Sequence, residues 1–310
     1  MHFNVKQIFP VVIVFLIMSC TFDGSLKNIS RKENGVYDQF AWSPDGLKIV
    51  SIFSPTDTAT SQLDLYNIET GKWMVFGDVT DVLYNVEWVD NETIAYNVSE
   101  ANMDNLPEIN SQLVFFNVST KERIATEKGP AINDIKKNPQ ENTLALTRIL
   151  KPNQASIVLH DLSSHEESIL YNPSDGESVS DIAWNPDGTS IAYVLTKDNP
   201  PDMSTMYSYS LNIINLESKK VTVLIDNAER TIDEISWPQK AKIVIRKIDS
   251  NYKPRAFFVD LDGKMEPIDL REIAPLQVLL SPVGDNRILF SSLGEPGAND
   301  LYLLLSTGNQ

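Results

Sequence analysis

The sequence is poor in cysteine, histidine and basic residues, and each shortage excludes a class of protein or site. Its one cysteine, Cys20, allows neither an intrachain disulfide framework nor a cysteine-based zinc cluster. The 310 residues include 26 lysines and arginines against 42 aspartates and glutamates, which gives a formal net charge of −16. Nucleic-acid binding and broad adsorption to anionic lipid both need a basic surface, so we expect neither.

The three histidines are too few, and two of them lie too close together in the sequence, to predict a catalytic site. His2 lies at the start of the chain, and His160 and His165 lie close together in the middle. With no distant histidine to converge on them, the sequence predicts neither a Ser-His-Asp triad nor a three-histidine metal site. No Gly-x-Ser-x-Gly motif is present. We therefore expect ordinary imidazoles at both positions, no catalytic residue and no cofactor.

The longest apolar run lies at the N-terminus. Residues 8–18 are all apolar, and Lys6 precedes them. Eleven residues that rise 1.5 Å each are too short to cross a hydrocarbon core of about 30 Å, so the run is typical of a signal peptide, here residues 1–19.

The end of this run resembles the lipobox of bacterial lipoproteins. Leu16-Ile17-Met18-Ser19-Cys20 has an aliphatic residue three positions before the cysteine and a small residue directly before it. The resemblance implies that Cys20 is diacylated and begins the mature chain, with residues 20–24 as a short tether. A diacyl anchor would hold the protein stably on a membrane. An ordinary cleaved signal with a chance cysteine, and a short uncleaved anchor, are the alternatives.

One pattern repeats through the rest of the chain. Its strongest copies are Phe40-Ala-Trp-Ser-Pro-Asp-Gly46 and Ile182-Ala-Trp-Asn-Pro-Asp-Gly188, with shorter copies at 86–88 and 235–238 and degenerate ones at 135–139 and 278–282. The equivalent positions are Trp42, Trp88, Lys137, Trp184, Trp237 and Leu280, at spacings of 46, 49, 47, 53 and 43 residues. Six units therefore span residues 25–310 and leave no room for a second domain.

Each unit predicts four short strands. An alternating strand precedes the tryptophan, and Pro-Asp-Gly makes a tight turn into the second strand. Two more strands follow after a variable loop and a second turn. Four strands per unit of 43–53 residues predict an all-β, six-bladed β-propeller. The sixth unit stops at its third strand, so residues 25–29 are expected to supply its fourth and close the ring.

The repeats are similar to those of the TolB-like propellers, which include periplasmic TolB and the propeller domain of the dipeptidyl peptidase IV family. Trp-Ser-Pro-Asp-Gly followed by an apolar strand carries the resemblance. It implies the blade fold and a location outside the cytoplasm, in the periplasm or at the cell surface. The family motif says little about a ligand.

The two faces of such a propeller differ in this sequence. The turn face carries the tight Pro-Asp-Gly turns, and the opposite loop face carries longer acidic loops, at 54–62, 99–112, 196–208 and 249–255. Because binding residues tend to lie on loops held by a rigid scaffold, we expect a partner on the loop face. The alternative is that these surface loops vary in sequence without any role in binding. Trp73 and Phe76 are expected to pack against a neighbouring blade rather than form an exposed patch.

The position three residues before each tryptophan or its equivalent is polar in every unit. It is occupied by Gln39, Asn85, Asp134, Asp181, Glu234 and Gln277. The following position is apolar in all six, so strand alternation predicts that the polar side chains face the central axis. Carboxylates this close repel unless a cation or proton intervenes, which makes Asp134, Asp181 and Glu234 candidate ligands for calcium or a basic group. Simple capping of backbone groups in the adjacent blade is the alternative.

The sequence as a whole predicts a monomeric lipoprotein, held on the membrane only by its lipid anchor. It would act as a binding or assembly module for an envelope protein, peptide or glycan. An accessory or sensor subunit of a separately encoded hydrolase or transporter is the alternative, and a polysaccharide-active propeller enzyme is the third.

The anchor can be tested at its only thiol. Cys20→Ser removes the acylated sulfur, so lipid labelling should be lost and the protein should move from the detergent phase to the soluble or uncleaved fraction. Detergent-phase partitioning with metabolic lipid labelling measures both. Unchanged partitioning of the variant would contradict the lipoprotein interpretation.

Overall fold

The chain folds into six four-stranded antiparallel sheets arranged as the blades of a propeller. The structure is a computed structural model, and it describes residues 25–31, 35–56, 61–79, 83–100, 110–199, 206–228, 231–249, 251–271, 273–285, 287–293 and 299–305. Within these ranges there is no helix, and hence no helix that could span a membrane. The signal peptide, Cys20 and the tether lie outside the described residues.

The closing strand and the first three blades contain thirteen strands. The closing strand is β1 (Ser25–Asn28). Blade one has β2 (Gly35–Trp42), β3 (Lys48–Pro55), β4 (Ser61–Asn67) and β5 (Lys72–Val79). Blade two has β6 (Leu83–Trp88), β7 (Thr93–Glu100), β8 (Asn110–Asn117) and β9 (Glu122–Pro130). Blade three has β10 (Ile132–Lys137), β11 (Thr143–Lys151), β12 (Gln154–Asp161) and β13 (Glu167–Tyr171).

The remaining three blades follow the same order. Blade four has β14 (Glu177–Trp184), β15 (Ser190–Asp198), β16 (Tyr207–Asn215) and β17 (Val221–Ala228). Blade five has β18 (Ile232–Gln239), β19 (Lys242–Ile248), β20 (Pro254–Asp260) and β21 (Met265–Pro267). Blade six has β22 (Pro275–Leu280), β23 (Ile288–Leu293) and β24 (Asn299–Leu305). The predicted all-β, six-bladed fold is confirmed.

The Pro-Asp-Gly turns explain why the inner strands of blades one and four fold back directly. Gly46 and Gly188 have φ values of 66° and 68°, in the left-handed region that glycine enters without a Cβ clash. Their N–H groups donate to the carbonyls of Ser43 and Asn185 at 2.8 and 2.9 Å. The turns therefore hold the end of each of these two inner strands close to the start of the next strand.

The hydrophobic core lies between blades. The apolar residue two positions before each tryptophan is buried in every blade: Phe40, Val86, Ile135, Ile182, Ile235 and Val278. Two tryptophans also tie their blade to the preceding one. Trp88 Nε1 donates to the carbonyl of Ala41 at 3.2 Å, and Trp184 Nε1 donates to that of Lys136 at 3.0 Å. The repeated tryptophan thus joins neighbouring blades by packing and by a hydrogen bond.

The N-terminal strand closes the ring as the sequence predicts. β1 pairs with β24 in antiparallel register, from Ser25 opposite Leu305 to Asn28 opposite Tyr302. The predicted strand included residue 29, and Ile29 does extend the pairing, because its N–H donates to the carbonyl of Leu301 at 2.8 Å. This closure covers the edge that β24 would otherwise expose.

Trp73 packs beneath the closing segment. Its indole Nε1 donates to the carbonyl of Ile29 at 2.7 Å, and its ring contacts those of Tyr37 and Tyr66. Phe76 packs edge-on against Phe116 of blade two. Both aromatic side chains are half-buried. Phe76 packs against the neighbouring blade as expected, whereas Trp73 packs within its own blade and against the closing segment.

An ion pair follows the closing strand. Arg31 Nη1 lies 2.6 Å from Asp64 Oδ2, and the Asp64 side chain is fully buried. Burial raises the pKa of Asp64, and the hydrogen bond and charge of Arg31 oppose that shift. The guanidinium of the N-terminal segment therefore compensates a carboxylate inside blade one.

Removal of the Arg31 side chain should destabilise the closed ring. Arg31→Ala leaves the carboxylate of Asp64 buried without its cation, which costs about 3–5 kcal/mol when one partner of a buried pair is lost. Chemical denaturation of the wild type and the variant measures the difference. The double variant Arg31→Ala/Asp64→Leu should recover most of the loss. A single variant as stable as the wild type would contradict this account of the closure.

Candidate functional site

The six polar residues predicted to face the axis line a single cavity. The cavity has a volume of about 460 Å³, and its wall contains Gln39, Asn85, Asp134, Asp181, Glu234 and Gln277. The inner strands of all six blades contribute to it. The structure therefore brings the whole predicted ring together.

Each ring residue lies at or next to a β-bulge, which changes the direction of its side chain. In every blade the register between the inner strand and its neighbour shifts at or next to the ring position. Asn85 and Glu234 even have positive φ values, 44° and 49°, which non-glycine residues seldom adopt. Bulges of this kind often re-aim side chains next to functional sites. No local pattern in the sequence indicates these bulges.

Two ring carboxylates cap the next blade. Asp134 Oδ2 accepts a hydrogen bond from the N–H of Ile182 at 3.1 Å, and Asp181 Oδ1 accepts one from the N–H of Glu234 at 3.2 Å. These contacts match the capping role that the sequence left as the alternative. The Oδ1 atom of Asp134 meanwhile accepts from the N–H of Ile135 and from a lysine described next.

Three charged residues of the cavity wall lie outside the predicted ring: Glu87, Lys136 and Lys137. Glu87 and Lys136 stand directly before the tryptophan position, two residues beyond the ring, and therefore face the same side of the inner strand. Lys136 Nζ donates to Asp134 Oδ1 at 2.7 Å. Strand alternation alone could have identified Glu87 and Lys136, which the sequence analysis missed. The chain thus supplies two cations of its own to the cavity wall, and Lys136 is the one that pairs with the acidic ring.

Burial perturbs the acids of the cavity strongly. Burial, reinforced by the charge of Asp134, raises the pKa of Asp181 to about 6. Burial and the charge of Asp181 raise the pKa of Glu234 to about 8. Burial also raises the pKa of Glu87 to about 7, against the opposing charge of Lys136. These carboxyl groups therefore titrate near neutral pH, where a bound cation could displace their protons.

Lys136 remains positively charged among the acids of the cavity. Burial by itself would lower the pKa of its ammonium, but the charges of Asp134 and Glu87 outweigh that effect and hold the pKa above its ordinary value. The Lys136–Asp134 pair is consequently satisfied. The incompletely compensated acids lie elsewhere in the wall, at Glu87, Asp181 and Glu234.

The cavity also presents polar atoms that lack a hydrogen-bond partner. Gln277 donates from Nε2 to Glu234 Oε1 at 3.4 Å, but its own Oε1 atom is buried and accepts no hydrogen bond from a described residue. The indole Nε1 atoms of Trp42 and Trp237, both in the wall, are likewise buried without a partner. One acceptor and two donors of wall residues are thus buried without a partner among the described residues.

The mouth of the cavity lies on the turn face. Beyond the ring its wall continues along the inner strands to the prolines of the first turns: Pro139, Pro186, Pro238 and Pro282. The sequence analysis expected a partner on the loop face instead. Each of the four predicted loops, at 54–62, 99–112, 196–208 and 249–255, includes residues outside the described ranges, so that expectation stays a prediction.

The donor set determines what the cavity can hold. The carboxylate and amide oxygens of its wall suit a hard cation or a basic organic group, and not a metal that prefers sulfur or imidazole. Three separate acids near the axis could each pair with a different proton of an ammonium or guanidinium group. Calcium, predicted at Asp134, Asp181 and Glu234, would compete with Lys136 for Asp134.

No protein-family model matches the chain, and no curated protein matches it. Solved structures do share its fold at low sequence identity. A protein assigned as TolB from Agrobacterium tumefaciens has a TM-score of 0.60 and 17% identity, over 81% of this chain and 93% of that one. TolB from Acinetobacter baumannii has a TM-score of 0.56 and 17% identity over 74% of this chain, which spans only 54% of that protein.

An enzyme of known structure is also similar. An oligogalacturonate lyase in complex with manganese has a TM-score of 0.57 and 13% identity, over 93% of this chain and 94% of that one. Structures assigned as TolB and an enzyme therefore share this architecture, and identities this low establish the fold alone. The chain is a six-bladed β-propeller whose fold is similar to that of the TolB structures.

Proposed function

We propose that this chain is a membrane-tethered, extracytoplasmic propeller that works as a binding or assembly module. Its ligand is a protein, peptide or glycan of the cell envelope that inserts a basic group into the axial cavity. The observation that carries this proposal is the set of acids with raised pKa in one cavity, Glu87, Asp181 and Glu234.

The cavity fits a ligand in size and chemistry. A volume of about 460 Å³ is within the range of about 300–1,000 Å³ that is usual for ligand pockets. A basic group at the ring would pair with Asp181 or Glu234 and could donate to the free Oε1 atom of Gln277.

The position of the tether indicates how the propeller would be oriented relative to the membrane. β1 begins at Ser25 opposite Leu305, where β24 ends at the turn face. The five residue steps from Cys20 to Ser25 would span roughly 17 Å if fully extended. If Cys20 is lipidated, the turn face and the mouth of the cavity lie toward the membrane. The ligand would then be a segment that approaches from the membrane side, such as the part of an envelope protein next to its own anchor.

An enzymatic role is the second candidate. The likeness to an oligogalacturonate lyase in complex with manganese extends over almost the whole of both chains, and it favours testing an acidic polysaccharide with a divalent metal. In the wall of the cavity, however, the described residues include no histidine, and the ring acids would repel an acidic substrate. Binding of a basic group is therefore the better match.

Binding of a cationic probe should strengthen as the pH rises. The raised pKa values mean that Glu234 and Glu87 are largely protonated at pH 6 and ionised at pH 8.5. Short peptides with a central lysine or arginine should therefore bind at least about tenfold more tightly at pH 8.5, the effect of one pKa unit of proton competition. Calorimetric titration of the peptides, and separately of calcium chloride, measures this.

Matched variants locate the binding. Asp181→Asn/Glu234→Gln removes two acids of the cavity, and Asp187→Asn/Glu141→Gln removes two acids that lie on the turn face outside it. The first pair should abolish binding and the second should leave it intact. Equal affinity in both variants would remove the cavity from consideration. Turnover of oligogalacturonate with manganese would instead favour the enzyme.

A further inference from the structure

A second polar cluster lies between blades two and three, away from the axial cavity. Glu127 on β9, His160 on β12 and His165 in the turn after β12 each offer one ligand atom, and these atoms lie within 4.8 Å of one another. The sequence analysis expected ordinary imidazoles because both histidines belong to blade three. The third member comes from the neighbouring blade, which no local pattern in the sequence indicates.

The carboxylate of Glu127 lies between the two imidazoles. His165 Nδ1 is 2.6 Å from Glu127 Oε1, and His160 Nε2 is 3.5 Å from Glu127 Oε2. Ligand atoms bound tetrahedrally at about 2.0–2.2 Å lie about 3.3–3.6 Å from each other. Small side-chain rotations would therefore bring all three atoms to the distances that a metal ion requires.

His160 is an unusual residue for a core. Its side chain is completely buried and lies parallel to the ring of Phe115 in blade two. Neither of its ring nitrogens makes a hydrogen bond of ordinary geometry in the described part of the chain. A buried polar group without a partner costs free energy, and a ligand at Nε2 would remove that cost.

The other side of His160 has an orienting carboxylate. Its Nδ1 atom is 3.4 Å from Glu167 Oε1, and Arg148 Nε donates to that same oxygen at 2.9 Å. Arg148 is itself buried and also donates to the carbonyl of Pro130 at 2.6 Å. Histidines that bind metal usually donate their second N–H to a carboxylate or carbonyl, and a small rotation of the His160 ring would give Nδ1 that partner in Glu167. The arrangement leaves Nε2 free to bind an ion.

We propose that Glu127, His160 and His165 form a site for a divalent transition metal, with zinc as the ion that fits best. Two imidazoles and one carboxylate are a known zinc donor set, and nitrogen ligands disfavour calcium and magnesium. The two glutamates outnumber the one nearby arginine, so the cluster attracts a cation. The ion links β9 of blade two to blade three and so strengthens the contact between the blades.

The site has an open side. His165 is 56% exposed and Glu127 is 25% exposed, so the ion is reached from solvent. Three protein ligands leave the fourth position of a tetrahedral ion to water or to a donor group of a partner. The site is independent of the axial cavity, because its three residues form no part of the cavity wall.

The test is a titration of zinc sulfate into purified protein from which any polyhistidine tag has been removed. We expect one zinc ion per chain, no competition from excess calcium, and a higher melting temperature with zinc, since an ion that binds only the folded state stabilises it. X-ray absorption at the zinc edge should show two imidazoles and oxygen at about 2.0–2.2 Å. The absence of stoichiometric zinc binding would overturn the proposal.

Variants separate this site from adventitious binding. His165→Ala alters an exposed side chain and should weaken zinc binding at least tenfold, since even outer partners of a metal change its affinity by about 10–100-fold. Glu127→Gln should do the same, whereas Glu166→Gln, an exposed acid beside His165 but outside the cluster, should not. Zinc affinity that is equal in the wild type, His165→Ala and Glu127→Gln would refute the site.

Discussion

Six blades can close into a ring only if each inner strand buries one side against the next blade and turns its other side to a common axis. The buried side carries Phe40 and its five apolar equivalents, and the repeated tryptophans reinforce it. The same alternation brings every polar residue on the opposite side into one small volume. The axial cavity, its bulges and its perturbed acids all follow from this constraint, and the pairing of β1 with β24 completes it.

The acidic ring contributes to the closure of the fold and, in the proposed function, to the binding of a ligand. Asp134 and Asp181 each cap a backbone N–H of the next blade, so part of the ring contributes to closure. Glu234 and Glu87 instead hold protons to unusually high pH because burial disfavours their charged forms. A group whose pKa is raised on folding stabilises the fold at low pH and ceases to do so as the pH rises through the raised value. A cationic ligand in the cavity would compensate the negative charge that Glu234 and Glu87 carry once they ionise.

Much of the fold could be predicted because its signals are local. The spacing of Trp42, Trp88, Trp184 and Trp237 gives the blades, and alternation around them separates Phe40 from Gln39. Lys136 and Glu87 follow the same strand alternation as the ring residues. Lys136 is overlooked when only carboxylates are considered. The bulges, the mouth on the turn face and the approach of Glu127 to His160 depend on how neighbouring blades meet. No local pattern in the sequence records those distances.

The central claim is that the cavity buries acids whose charge the fold does not fully compensate. Melting temperatures of the wild type and Glu234→Gln, measured from pH 5 to pH 9, test it most directly. Since the pKa of Glu234 is raised to about 8, the two proteins should be equally stable near pH 5, and the variant should gain at least about 1 kcal/mol by pH 9. Glu266→Gln is the control, because Lys242 lowers the pKa of Glu266 and its removal should bring no such gain. Parallel curves for the wild type and Glu234→Gln would contradict the account.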